Sequence, residues 1–326
     1  MKRKYLFGIV FFIIGSQIFM ACKKDNGSLS NVNTLPVIYV SSSAATLAIS
    51  VEYDGGSHVT ECGIYIATSL NPEKSGQRFQ IGSDTGIFIG QLSGLLPEVQ
   101  YFVKSYAQNE KGESLGNQVD FTTPGTVKDV ENNTYETVKI GDQTWLASNL
   151  KATSYRNGDP IETTTPSTAD ITSESTPKYQ WAYDGDEISA HTYGRLYTGY
   201  AVTDTRGICP TGWHVPTEPE FTILITTLGN YDIAGGRMKE TGTTHWDSPN
   251  TDATNLSLFS ALPGGGRRSN GDFSNILLGQ NGWWWTATYE NDNSAQVSWM
   301  VRYDNGAASL KSSLRPEGFS VRCVKD

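Results

Sequence analysis

Cysteine and histidine are both scarce, and neither is grouped. The four cysteines stand at Cys22, Cys62, Cys209 and Cys323, and the four histidines at His58, His191, His214 and His245. No Cys-x-x-Cys pair occurs, which leaves a zinc or dithiol redox site without support. No two histidines have metal-ligand spacing, and no His-Glu-x-x-His is present. A Gly-x-Ser-x-Gly nucleophile elbow is missing, and so is a phosphate loop: Gly264-Gly265-Gly266-Arg267-Arg268 lacks the Lys-Ser/Thr and reads as a tight turn. Basic residues number 25 against 34 acidic ones, for a formal net charge of −9. Beyond the N-terminus they form no cluster, so no nucleic-acid partner is expected. Long helical periodicities are few. The one strongly apolar run, Leu6 to Met20, falls short of the roughly 20 residues a membrane-crossing helix needs.

Abundant glycine, with 33 residues, together with 8 Trp and 16 Tyr, points instead to packed strands joined by many turns. A length of 326 residues suits two domains. Met1-Lys2-Arg3-Lys4, the apolar run and the small Ala21 have the layout of a signal peptide over residues 1–21. Phe19-Met20-Ala21-Cys22 resembles a lipobox, with Phe19 where Leu is usual. The resemblance implies that Cys22 is acylated and becomes the first mature residue, and that the chain is a lipoprotein held to the cell outer membrane. Lys23-Lys24-Asp25-Asn26 resembles the surface-export signal of Bacteroidetes lipoproteins, and residues 22–36 read as a flexible tether. In an oxidising compartment the three remaining cysteines divide into one pair and one orphan. Cys209 and Cys323 share the C-terminal domain and are paired; Cys62 reads as a small buried residue on the face of Ile64 and Ile66.

Residues 37–124 carry the pattern of a β-sandwich. Leu47, Ile49, Val51 and Tyr53 alternate on one strand face before the Asp54-Gly55-Gly56 turn, and further strands fall at 61–67, 78–82, 87–92, 100–108 and 117–122. Leu95-Leu96-Pro97-Glu98-Val99-Gln100-Tyr101 and Phe121-Thr122-Thr123-Pro124 resemble a fibronectin type III domain. That resemblance implies a tyrosine corner at Tyr101 and a spacer or adhesive role.

Residues 128–326 open on a hairpin with turns at Asn132-Asn133 and Gly141-Asp142, ending in Trp145-Leu146-Ala147-Ser148-Asn149-Leu150. Blocks follow in order at Tyr193-Gly194-Arg195, Cys209-Pro210-Thr211-Gly212-Trp213-His214, Gly235-Gly236-Arg237-Met238, Phe259-Ser260-Ala261-Leu262-Pro263, Trp284-Trp285-Thr286 and Gly318-Phe319-Ser320-Val321-Arg322-Cys323. Together they resemble the Fibrobacter succinogenes major paralogous domain. The last block and the segment from Val215 also resemble the C-type-lectin fold of formylglycine-generating enzymes. The expected fold is therefore mainly β: a fibronectin III-like sandwich, then an α+β C-type-lectin-like domain with few short helices and paired terminal strands. Thr217 and Glu220 form a capping box before Phe221, Leu224, Ile225 and Leu228, which predicts one helix ending at Gly229; a second, short one is expected at Gly235–Glu240. The Thr/Ser/Pro-rich stretch from Glu162 to Lys178 reads as an exposed loop or a disordered insertion.

An enzyme is not expected. The enzymes with this fold use a reactive cysteine pair, and the cysteines here sit in the wrong blocks. Trp283-Trp284-Trp285 admit two readings: all three pack inside or on a sheet face, or, with Tyr289, Asn291, Asp292, Trp299, Tyr303, Asp304 and Asn305 beside them, they form an aromatic platform ringed by amides and carboxylates for sugar binding, which is the functional reading. Alternation places Trp284 on one strand face and Trp283 and Trp285 on the other. Oxygen donors at Tyr289 to Asn293 and at Asp304-Asn305 are of the kind calcium takes, but EF-hand and lectin calcium signatures are absent. No metal and no cofactor is expected; the expected partners are the membrane and a polysaccharide or surface protein. A structural or assembly lipoprotein contacting envelope proteins is the alternative.

Overall fold

The computed structural model describes residues 27–290 and 294–326. The signal peptide and Cys22, and the candidate residues Asn291 and Asp292, lie outside the described residues.

The N-terminal unit is a two-sheet sandwich. Its strands are β1 (Asn31–Thr34), β2 (Tyr39–Ser41), β3 (Ala44–Tyr53), β4 (Glu61–Ala67), β5 (Gln77–Gly82), β6 (Gly86–Ser93), β7 (Gln100–Asn109) and β8 (Gly112–Thr122), with a one-turn helix α1 (Pro72–Ser75) before β5. One sheet joins β1 and β6 to opposite edges of β3; the other runs β5-β4-β7-β8. Leu47, Ile49 and Val51 face Ile64, Ile66 and Val103 across a dry interior, as the alternation in β3 requires. The tyrosine corner is formed: the Tyr101 ring is buried and its hydroxyl accepts the Leu96 N–H at 2.9 Å. Cys62 is a free, buried thiol in this interior, and burial pushes its pKa up to about 11. One expectation is corrected. The tether does not extend through residue 36, because Asn31–Thr34 pair with β3 and bury Val32.

The C-terminal unit begins with a ribbon of β9 (Val127–Lys128) and β10 (Thr134–Tyr135), then the hairpin β11 (Thr137–Ile140) and β12 (Gln143–Leu146). β13 (Gln180–Trp181), α2 (Glu187–Tyr193), β14 (Leu196–Thr198), α3 (Gly199–Val202) and β15 (Trp213–His214) precede the helices α4 (Glu218–Thr227) and α5 (Ala234–Met238). A three-stranded meander of β16 (Asn281–Tyr289), β17 (Ala295–Arg302) and β18 (Ala308–Leu314) is followed by β19 (Gly318–Phe319) and β20 (Val324–Lys325). β20 lies between β12 and β15, so the first hairpin and the last strand of this unit are paired.

Both halves of the capping box at Thr217 and Glu220 are made, and α4 buries Phe221, Leu224 and Ile225. α5 can lie close to the β17–β18 turn because Gly235 has no side chain: a Cβ there would meet the Ala307 carbonyl oxygen at 2.2 Å. The stretch from Glu162 to Lys178 is an ordered loop. The buried Arg267 donates to the carbonyls of Ser167 and Ala169 while stacking on Trp181 at 4.1 Å, and Ile171 is buried.

The two units share a sheet. β2 pairs with β3 on one edge and with β11 on the other, so strands run continuously from β6 through β3 and β2 to β11, β12, β20 and β15. Tyr39 on β2 is only 7% exposed, and its ring belongs to the core of the C-terminal unit, among Trp145, Phe221 and Trp299. Ser42 and Thr137 exchange bonds across the seam, with the Ser42 N–H on the Thr137 carbonyl at 2.8 Å and the Thr137 N–H on the Ser42 hydroxyl at 2.9 Å. The Thr46 hydroxyl and the Gln91 amide donate to the Leu256 and Asn255 carbonyls at 2.9 and 2.8 Å. Two packed units joined in this way lose the hinge that a flexible linker would give.

Candidate functional site

The tryptophan platform is not at the surface. Trp284 and Trp285 are 0% exposed and Trp299 is 1% exposed. The alternation itself holds. Trp284 enters the core under α4, edge-on to Phe259, and gives its indole N–H to Asn149 Oδ1 at 2.8 Å. Trp285 enters the opposite core against Phe319 and gives its N–H to the Tyr197 carbonyl at 2.6 Å. Trp283 is part-buried and stacked on Phe319 at 4.8 Å. Trp299 stacks on Phe221 and Tyr231. The physical reason is that the β16–β18 meander is covered on both faces, by α4 on one and by the β14–α3 and β19 segments on the other, so no face is left for an aromatic shelf.

The downstream candidates fare similarly. Tyr303 is part-buried against the Trp284 core. Asp304 is chelated by Arg302 at 2.9 and 2.6 Å and accepts from the Asn305 amide, while Asn305 Oδ1 takes the Ala307 N–H. The Asn305 carbonyl, with those of Thr251 and Arg302, holds the buried Lys239 ammonium at 2.8 to 2.9 Å, and burial pulls this lysine down to about 8. These groups close a turn and offer no free donor set.

Tyr289 is the exception. It ends β16, is 54% exposed, and stands at the rim of a cleft of about 380 Å³ beside the Cys209–Cys323 disulfide. The disulfide pairing agrees with the sequence reading. The cleft has an aliphatic floor of Val202, Ile208, Val215 and Ala287. Its walls carry Arg156, Thr203, Asp204, His214 and Thr217. Each wall group is fixed from behind. Arg156 donates to the Cys209 and Trp213 carbonyls at 3.1 and 2.7 Å. Asp204 is held by Arg206 at 2.9 Å and Lys178 at 2.8 Å, and the Arg206 bond leads in keeping this carboxyl well below the usual range.

His214 lies between two carboxylates, with Nδ1 2.7 Å from Asp326 and Nε2 2.9 Å from Glu220. Two carboxylate acceptors, one on each ring nitrogen, favour the imidazolium, in which both nitrogens donate, over the neutral ring. Burial opposes that charge, but the bonds to Asp326 and Glu220 outweigh it and raise the pKa. A folded-state pKa above the unfolded one stabilises fully below about 6.5 and loses that contribution as pH rises through the folded value. His214→Gln therefore costs stability at low pH and progressively less as pH rises. Melting temperatures of both proteins between about pH 5 and pH 9 check this, and a pH-independent difference contradicts it.

Sequence reading placed Tyr289 at a site but missed Arg156, Asp204 and the role of His214. The one available signal was His214 standing six residues before the capping-box Glu220. Nothing in the spacing joins residues 156, 204 and 289. Among the described residues no group of three metal-ligating side chains converges.

Solved structures similar to this chain include the sensor domain of the anti-sigma factor RsgI4 of Pseudobacteroides cellulosolvens, at 14% identity, covering 30% of this chain and 97% of that one, with a TM-score of 0.25. A fibronectin type III domain from the human KIAA0970 protein matches at 16% identity, covering 32% and 80%, with a TM-score of 0.25. The FN1–FN3 domains of chicken CNTN1 match at 21% identity, covering 30% and 31%, with a TM-score of 0.21. No curated protein matches the chain. The sequence model of the Fibrobacter succinogenes major domain matches residues 138–325, more than half of the 326, and the chain belongs to that family.

Proposed function

We propose that this chain is a lipoprotein anchored through Cys22 at the cell outer membrane, and that it presents a non-enzymatic carbohydrate-binding or adhesive unit on a rigid spacer. The C-terminal unit is the reader, of C-type-lectin-like kind, and the paired first and last strands support that assignment. The observation that carries the proposal is the placement of tether and seam at opposite ends of β3. Asn31 pairs with Tyr53 at one end, whereas β2 and the seam sit at the Ala44 end. Ten residues of strand at about 3.3 Å each separate the two by ~30 Å. Cys22 is five residues from Gly27, a reach of at most about 18 Å, so the anchor joins the sandwich at the end of β3 away from the C-terminal unit.

The ligand is read at the Tyr289 cleft. A half-exposed phenol ring, with the Arg315 guanidinium over it at 5.3 Å and aliphatic side chains in the same cleft, suits the C–H face of a sugar ring, and the adjacent hydroxyl, carboxylate and cationic groups suit its hydroxyls. A glycan array probed with residues 23–326 is expected to give saccharide-selective signals. Tyr289→Ala should weaken the best of them at least about tenfold, or ~1.4 kcal/mol; equal signals from both proteins contradict the site. Exposed Ile87 and Ile89 on β6 favour the second reading, a structural lipoprotein contacting other envelope proteins.

A further inference from the structure

We infer a second ligand site, separate from the Tyr289 cleft, in the seam between the two units, built for a small donor-rich ligand of the amino-sugar class. The seam forms an open cleft of about 560 Å³ to which both units contribute, with Gln91, Ser93, Thr134 and Glu136 exposed along it. That volume lies within the range of small-molecule sites, about 300–1,000 Å³, which form preferentially where domains meet.

The lining determines the ligand chemistry. Among the described residues no lysine, arginine or histidine lines the cleft, and the one charged group there is Glu136, so an anionic ligand meets uncompensated negative charge. Glu136 accepts the Ser43 hydroxyl through Oε2 at 2.7 Å, which orients the carboxylate and leaves Oε1 with no hydrogen bond from the described residues. Gln91 spends its amide N–H groups on Thr46 Oγ1 and the Asn255 carbonyl, at 3.3 and 2.8 Å, which leaves its Oε1 as a further acceptor. Ser93, Thr134 and Ser148 also line the cleft, and their hydroxyls make no hydrogen bond within the described chain. Fixed acceptors and adaptable hydroxyls with no cation call for a ligand that donates, an ammonium with hydroxyls around it. The cleft contains no aromatic ring. Selectivity there rests on charge and hydrogen bonding, whereas the Tyr289 cleft offers a stacking face.

The test is calorimetric titration of residues 23–326 with D-glucosamine, D-glucose and D-glucuronate. Glucosamine is expected to bind at least about tenfold more tightly than glucose, with no heat from glucuronate. Glu136→Gln retains an acceptor for Ser43 and so keeps the seam; it should weaken glucosamine about tenfold and abolish the preference over glucose. Tyr289→Ala should keep the preference for glucosamine over glucose, whatever heat the other cleft contributes to each sugar, and this separates the two sites. The inference is overturned if glucosamine gives no heat at millimolar concentration, if Glu136→Gln binds it as tightly as the parent protein, or if glucuronate binds equally well.

Discussion

Asn149→Ala is expected to destabilise the C-terminal unit by about 3–5 kcal/mol, enough to unfold a marginal domain. Arg322 is 0% exposed and has no carboxylate partner among the described residues. Its guanidinium is solvated by amide and carbonyl oxygens: Asn149 Oδ1 at 2.9 and 3.2 Å, the Leu146 carbonyl at 3.1 Å and the Phe259 carbonyl at 2.5 Å, with the Phe259 ring beneath it at 4.2 Å. Asn149 Oδ1 also takes the Trp284 indole N–H, and Asn149 Nδ2 donates to the Tyr193 carbonyl at 2.8 Å. Removing this one amide leaves a buried charge and a buried indole donor short of partners, in a medium where neither can turn to water. Burial already pulls Arg322 down to about 9. The double variant Asn149→Ala/Arg322→Met should lose markedly less than the sum of the two single variants, because the charge departs together with its acceptor. Urea unfolding of the four proteins measures this; additive losses contradict the account.

Tyr39→Ala should have the other large effect. Deleting a buried aromatic ring costs about 3–5 kcal/mol where the cavity cannot collapse, and here the ring is also the plug that joins the units. Other contacts across the seam include the pairing of the short β2 with β11, the bonds at Ser42, Ser43, Thr46 and Gln91, and the packing of Ile38 and Ala44 on the C-terminal core. The parent protein is expected to melt in one calorimetric transition. The variant should resolve into two, with the C-terminal transition lowered by roughly 6–12 °C for a loss of ~3 kcal/mol. One unshifted transition would show that Tyr39 does not join the units.

What the sequence disclosed depended on how local the cause was. The tyrosine corner at Tyr101 and the capping box at Thr217 and Glu220 lie within a few residues of their partners, and both formed as read. The alternation of Trp283, Trp284 and Trp285 was equally local, and it placed each ring on its correct face. Alternation cannot say whether a face meets solvent, because that depends on α4 and on the β14–α3 and β19 segments, which reach the meander from distant parts of the chain. Tyr39 was out of reach for the same reason. Its strand is three residues long and gains its meaning only from β11, about a hundred residues away. The Asn149 and Arg322 blocks were recognisable as family landmarks, yet their shared role, a buried charge answered by an amide, needed the fold.

The most direct measurement of the central claim is a crystal structure of residues 23–326 soaked with the saccharide that the array ranks first. The expected result is sugar density in the cleft beside the Cys209–Cys323 disulfide, with a ring face on Tyr289 at about 3.5–4.0 Å and hydroxyls bonded to Asp204. Density elsewhere on the surface, with this cleft empty, would contradict the claim.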